Sequence, residues 1–238
     1  MVDLKNILVL DIETISAFRS YGEMNERFKK QWERKASLLK NDDNLSSEEL
    51  YYDRAAIYAE FGKIICIAVG LFTRVEEDRP GLRVKAFSGH DEKEILLEFK
   101  DLMEIKLDKQ NLILCAHNGK EFDFPYLCRR FLVNEIDIPN VLNISGKKPW
   151  EVQHFDTMEM WKFGDRKSYT SLDLLASLFN IESSKVGIDG SMVNKVYYEE
   201  KDLDKITTYC KQDVVVTANL LLKLNMKPAL EPELIHII

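Results

Sequence analysis

The chain has no apolar run long enough to cross a bilayer. Its longest stretches are short, such as Ile7 to Leu10, whereas a spanning helix takes roughly 20 residues. No transmembrane segment and no membrane partner are expected. The amino terminus places Asp3, Asp11 and Glu13 around an apolar stretch below signal-peptide length, so export by that route is not expected either. Cysteine is scarce, four in 238 residues, and no two form a C-x-x-C pair. That argues against a zinc site and for free thiols in a reducing cytoplasm. Positive charge is not in excess: 33 Lys and Arg against 40 Asp and Glu leave a net −7. Gripping nucleic acid by bulk charge is therefore not expected. An acidic protein can still process a polyanion where metal ions supply the positive charge. Repeats, low-complexity tracts and interdomain linkers are absent as well.

What is present is an ordinary globular composition, 45% apolar and 31% charged, long enough for a sizeable core. Residues 1–238 read as one domain. Asn6 to Thr14 is a buried strand. GKIICIAVGLF, Gly62 to Phe72, is the clearest strand, and another around Leu82 to Phe87 follows the Pro80-Gly81 turn. These three suggest a meander. Between the first two lies a charged insertion, about residues 16–60, helical in two pieces split by Asn41 to Asn44. Ser46 and Glu49 form a capping box for the second piece. Residues 19–40 hold seven bases and three acids, an asymmetry that could concentrate a polyanion. Asp91 and Glu94 cap a helix through Met103. NLILCAHN is a further strand, a helix starts near Phe124, and VQHFD at Val152 to Asp156 is a short strand. Helices follow at Ser171 to Phe179 and at about Asp202 to Leu224. The pattern is α/β around a mixed sheet.

Three places carry chemistry. Asp11 and Glu13 end the first strand two residues apart, so both carboxylates point to one side. Side by side they repel unless a hard cation, magnesium or manganese, lies between them. Asp123, in HNGKEFDFPYL, follows another buried strand, and strand ends are where sites gather in open α/β sheets. As an alternative, an Asp at a helix start is an N-cap. In YCKQD, Tyr209 and Asp213 share one helix face. Tyr169 with Asp173 and Tyr198 with Asp202 have the same spacing, but only the Tyr209 pair lies well inside a helix.

Taken in order, LDIET, HNGKEFD and YCKQD resemble the three motifs of the DEDDy 3′-to-5′ exonucleases, and are most similar to the proofreading exonuclease domain of family B DNA polymerases. The histidine-bearing sister group needs H-x-x-x-x-D, which none of the four histidines supplies. The resemblance spans Ile7 to about Leu224. It implies a ribonuclease H-like three-layer fold, a mixed central β-sheet flanked by helices. It further implies two divalent metal ions, Mg2+ or Mn2+: Asp11 bridges them, Glu13 and Asp213 complete one site, and Asp123 serves the other. Tyr209 would orient the attacking water, its phenol being a poor base at neutral pH. Asn118 and Phe122 would contact the terminal nucleotide. Lys162 and Lys185 are substrate-binding candidates, with Arg129-Arg130, Arg166 and Lys167 as further phosphate contacts. Asp156, Gly187, Asp189 and Gly190 could line the site.

The expected activity is a stand-alone, cytoplasmic 3′-to-5′ exonuclease acting on mainly single-stranded DNA and releasing nucleoside 5′-monophosphates. RNA is the first alternative substrate. A catalytically silent nucleic-acid-binding or structural subunit is the second, and retention of four acids and the tyrosine argues against it. No room for a polymerase domain is seen, so a proofreading role would serve a separate protein partner, a polymerase or repair factor.

Overall fold

The computed structural model describes residues 4–74, 79–107, 112–165, 169–184 and 187–238. Six strands form one sheet: β1 (Ile7–Ser16), β2 (Gly62–Arg74), β3 (Pro80–Ser88), β4 (Ile113–Ala116), β5 (Phe155–Asp156) and β6 (Ile235–Ile237). Their order is β5-β4-β1-β2-β3-β6. β1, β2 and β3 are the antiparallel meander that the sequence suggests, while β4 and β5 run parallel to β1. β6, which the sequence reading does not anticipate, adds to β3 in parallel.

Period-two patterning on β1 assigns the two faces. Leu8, Leu10 and Ile12 pack with Leu96 and Phe99 of α3 (Glu92–Asp101) and with Phe124 and Leu127 of a long helix that begins at Asp123. Ile7 and Val9 face the other way, against Cys210, Val214, Ala218 and Leu221 of the final helix, Leu203–Leu224. Helices on both faces of a mixed sheet make the three layers expected. The insertion between β1 and β2 contains α1 (Glu26–Ala36) and α2 (Ser47–Arg54), with the capping box at Ser46 and Glu49 in place. It carries its own small core, in which Trp32 meets Tyr51 and Phe61 edge-on at 5.3 and 5.1 Å. The remaining helices are α4 (Asp123–Val133), α5 (Thr157–Lys162), α6 (Leu172–Leu178), α7 (Val193–Lys195) and α8 (Leu203–Leu224). α8 lies close on the sheet: a Cβ at Gly70 of β2 would come 2.7 Å from Val214 Cγ1, so the contact depends on glycine there.

Registers explain where a cleft opens. β4 pairs with β1 only at Ile7, Leu8 and Val9, so β1 outruns β4 and its edge from Asp11 onward is uncovered on that side. The chain leaving β4 turns away sharply. Asn118 adopts φ +63°, and a Cβ at Gly119 would lie 2.4 Å from the Ala116 Cβ. This turn needs glycine at its second position, and it delivers the chain into α4 beside the uncovered edge.

Candidate active site

Asp11 and Glu13 follow Ile7 and Val9 on the α8 face of β1, and α8 supplies Tyr209 and Asp213 one turn apart. All four side chains line one cleft of about 690 Å³. Glu13, Asp213 and Tyr209 are buried. Asp123 approaches from the opposite layer. It is the first residue of α4, not its N-cap; Phe122 occupies the cap position with no side-chain bond. Asp123 is buried and close enough to Asp11 and Glu13 for its charge to act on both, although it stands behind the cleft lining.

The electrostatics of the cluster follow from its burial. Desolvation, then Asp213, Glu13 and Asp123, hold the Asp11 carboxyl well above the usual range. Glu13 is raised by desolvation, then by Asp213, Cys66 and Asp123. Asp123 is pushed up to about 8 by burial, with Asp156 and Asp213 adding to the shift. Tyr209 hydrogen-bonds Asp213, and burial together with Asp213, Glu13 and Asp11 drives its phenol far above 10. Among the described residues no Lys or Arg pairs with Asp11, Glu13 or Asp123. Acids crowded this way favour either shared protons or a multivalent cation. An all-carboxylate donor set suits a hard divalent ion such as Mg2+ or Mn2+, so the residues fit the metals expected. Asp11, Glu13 and the Cys210 Sγ offer ligand atoms within 4.8 Å of one another.

Of the other two tyrosine pairs, Tyr198 and Asp202 lie outside the cleft lining, while Tyr169 and Asp173 both line it. The Tyr198 hydroxyl donates to the Ser16 carbonyl at 2.7 Å. Tyr169 lines the cleft but is 71% exposed, and Asp173 accepts from Ser183. Phe122 lines the cleft and stacks obliquely on Tyr126. Asn118 lies beyond the lining; its N–H donates to Asp156, while its Oδ1 is buried with no donor reaching it among the described residues. Lys162 ends α5, close enough to His117 to help burial depress that imidazole. Lys185, Arg166 and Lys167 lie outside the described residues.

Two candidates, one basic and one acidic, are redirected. Arg130 is buried, its guanidinium bonded to Glu92 at 2.6 and 2.8 Å and to the Ala59 carbonyl at 2.8 Å, so it is a structural ion pair and unavailable for phosphate. Asp156 is an N-cap: it accepts from Met158 and Glu159 of α5 and from the N–H groups of Asn118 and Lys120.

Several cleft residues escape sequence reasoning. Asp53, Arg54, Ala56 and Ile57, at and after the end of α2, form one wall. The insertion thus contributes to the cleft through α2 rather than through the basic α1, whose Lys29 pairs with Glu26 and whose Lys35 lies over Tyr58. His117 is a second case. Its Nε2 donates to the Thr170 carbonyl at 2.9 Å, which leaves Nδ1 to accept from Thr157. Adjacency to the N-G-x-x-F-D run was its only signal. Asp189 and Gly190 line the cleft as expected.

A family model described as a predicted 3′-5′ exonuclease related to the exonuclease domain of PolB matches residues 57–233. The match begins after Asp11 and Glu13, which β1 contributes. No curated protein sequence matches the chain. Among solved structures, the chain is similar to the family B DNA polymerase from the hyperthermophilic archaeon Pyrobaculum calidifontis, with a TM-score of 0.54 and 17% identity over 92% of this chain and 24% of that one. The chain therefore spans about a quarter of the polymerase's length, and at that identity the likeness is one of fold.

Proposed function

The chain belongs to the family of predicted 3′-5′ exonucleases related to the exonuclease domain of PolB, and from that membership we propose that residues 1–238 act as a divalent-metal-dependent exonuclease. Its substrate is mainly single-stranded DNA and its products are nucleoside 5′-monophosphates. One observation carries the reading: Asp11, Glu13, Tyr209 and Asp213, distant in sequence, line a single cleft with Asp123 buried close behind them.

Asp11, Glu13 and Asp213 would hold one Mg2+ or Mn2+ ion, and Asp11 with Asp123 a second. When bound, such ions would supply charge stabilisation for an in-line displacement at phosphorus and a lowered pKa for water. The protein's own part is positional. A phenol driven far above 10 stays protonated at neutral pH, so Tyr209 acts as a hydrogen-bonding group that orients the attacking water and not as its base. Phe122 supplies an apolar face for the terminal nucleotide, with Asn118, Lys162 and Lys185 as further substrate contacts. Among the described residues no helix is long and apolar enough to cross a membrane. Four free thiols suit the cytoplasm proposed as its location.

The test is a degradation ladder on 5′-labelled single strands of matched DNA and RNA, with Mg2+, Mn2+ or EDTA, for wild type and Asp11→Ala. Stepwise shortening from the 3′ end that needs metal and Asp11 is the expected result. Full activity in EDTA would overturn the mechanism, and faster loss of the RNA strand would reassign the substrate.

A further inference from the structure

We infer that Cys210 is a positioning residue for the Asp11 carboxylate: its thiol, held between α8 and β1, orients one oxygen of that carboxylate and so sets how tightly the cleft takes a divalent cation. The inference rests on the metal-dependent reading of the cleft. Cys210 is fully buried, and its Sγ lies 3.3 Å from Asp11 Oδ2 and 3.5 Å from the Asp11 carbonyl oxygen. Among the described residues this thiol is the side-chain donor that reaches the Asp11 carboxylate.

Packing alone does not call for a thiol at this place. The surrounding wall is apolar, with Ile7, Val9, Ala68 and Val214 in the same cluster, and a small hydrophobe would fill it equally well. Cys66, on β2 directly across from Glu13, lies in the same buried cluster as Cys210. A ligand carboxylate pinned from behind gives up its rotational freedom before the cation arrives, which is how outer partners raise metal affinity.

The test is Mn2+ binding to the whole chain, read by calorimetry or electron paramagnetic resonance, with exonuclease rate measured separately. Cys210→Ala is expected to weaken Mn2+ binding by about 10- to 100-fold, the usual loss for an outer partner. Cys210→Ser keeps a donor and should restore most of the affinity. Cys66→Ala empties similar volume in the same wall while leaving the donor to Asp11, and should bind nearly as wild type. If Cys210→Ala does not fold, Cys210→Val refills the volume without a donor and takes its place. The inference is overturned if the donor-free variant binds Mn2+ as wild type does, or if Cys210→Ser falls as far as it with melting unchanged. Wild type that binds Mn2+ but shortens no DNA defeats the nuclease reading and leaves this inference to the binding curves. Wild type that binds no Mn2+ overturns both.

Discussion

Glu13 and Glu92 are equally withdrawn from solvent, each 7% exposed, yet they lie on opposite sides of the sheet and in opposite company. Glu92, opening α3, accepts from the Ile64 N–H at 2.7 Å, from Arg130 at 2.6 and 2.8 Å and from Asn134 at 2.9 Å. Its charge is answered by a guanidinium and by a filled set of donors, as a buried carboxylate requires. Glu13, on the α8 face, is surrounded by Asp11, Asp213, Asp123 and a thiol. Burial alone thus says nothing about function. A buried acid whose neighbours are other acids says a great deal, because the fold tolerates the repulsion only where something else is to be bound.

The contrast can be broken from either side. The largest effect is expected for Asp11→Ala, which should lower exonuclease turnover by roughly 10³-fold or more, the several kcal/mol that metal-borne charge stabilisation contributes. Its melting temperature should stay level or rise, since one of four repelling acids is gone. A variant that keeps a tenth of wild-type rate would remove Asp11 from the site.

Tyr209→Phe comes next. One positioned hydrogen-bonding group is worth about 10² or more in rate, so turnover should fall by about that factor while Mn2+ affinity holds. If the rising limb of the pH profile vanished as well, Tyr209 would be the base. If instead Tyr169→Phe or Tyr198→Phe carried the loss, that tyrosine and not Tyr209 would orient the water.

On the Glu92 side the expectation inverts. Arg130→Met leaves a buried carboxylate without its cation and should cost about 3 to 5 kcal/mol of stability by urea denaturation. Activity well below the melting point should change little. A variant as stable as wild type would mean that Asn134 and the Ile64 N–H suffice for Glu92.

The smallest effect is the dependence of stability on pH. Asp123, ordinarily near 3.8, is pushed up to about 8 in the fold, so the native state holds a proton that the unfolded chain releases. Stability from this group is therefore full below about pH 4 and lost as pH rises toward about 8. Asp11 and Glu13, both raised, act in the same direction. Melting curves of the metal-free protein should fall across that window, and saturating Mg2+ should flatten the fall by binding the native state alone. An equal slope with and without Mg2+ would separate the acids from the cation.

How much of this was legible depends on how local each cause is. That Asp11 and Glu13 share a face follows from the period of a strand, and that Tyr209 and Asp213 share one follows from the pitch of a helix. The Ser46 capping box and the individual strands were readable for the same reason: each is settled within a few residues. The roles of Asp123, Asp156 and Arg130 were not. All three are polar residues at or in helices, and sequence allows cap, ligand or ion pair for each. β6 escaped because three residues carry too little pattern.

By itself, then, the sequence determined five of the six strands and the longer helices, their order, and the pairs of side chains that travel together on one element. Tertiary structure alone decided which pairs meet. β4 stops pairing with β1 at Val9, which leaves the β1 edge open where α4 brings in Asp123, and Gly70 lets α8 settle on β2 so that its Tyr209 face reaches the Asp11 face. Those are matters of register and close approach between distant segments, and no periodicity within one segment encodes them.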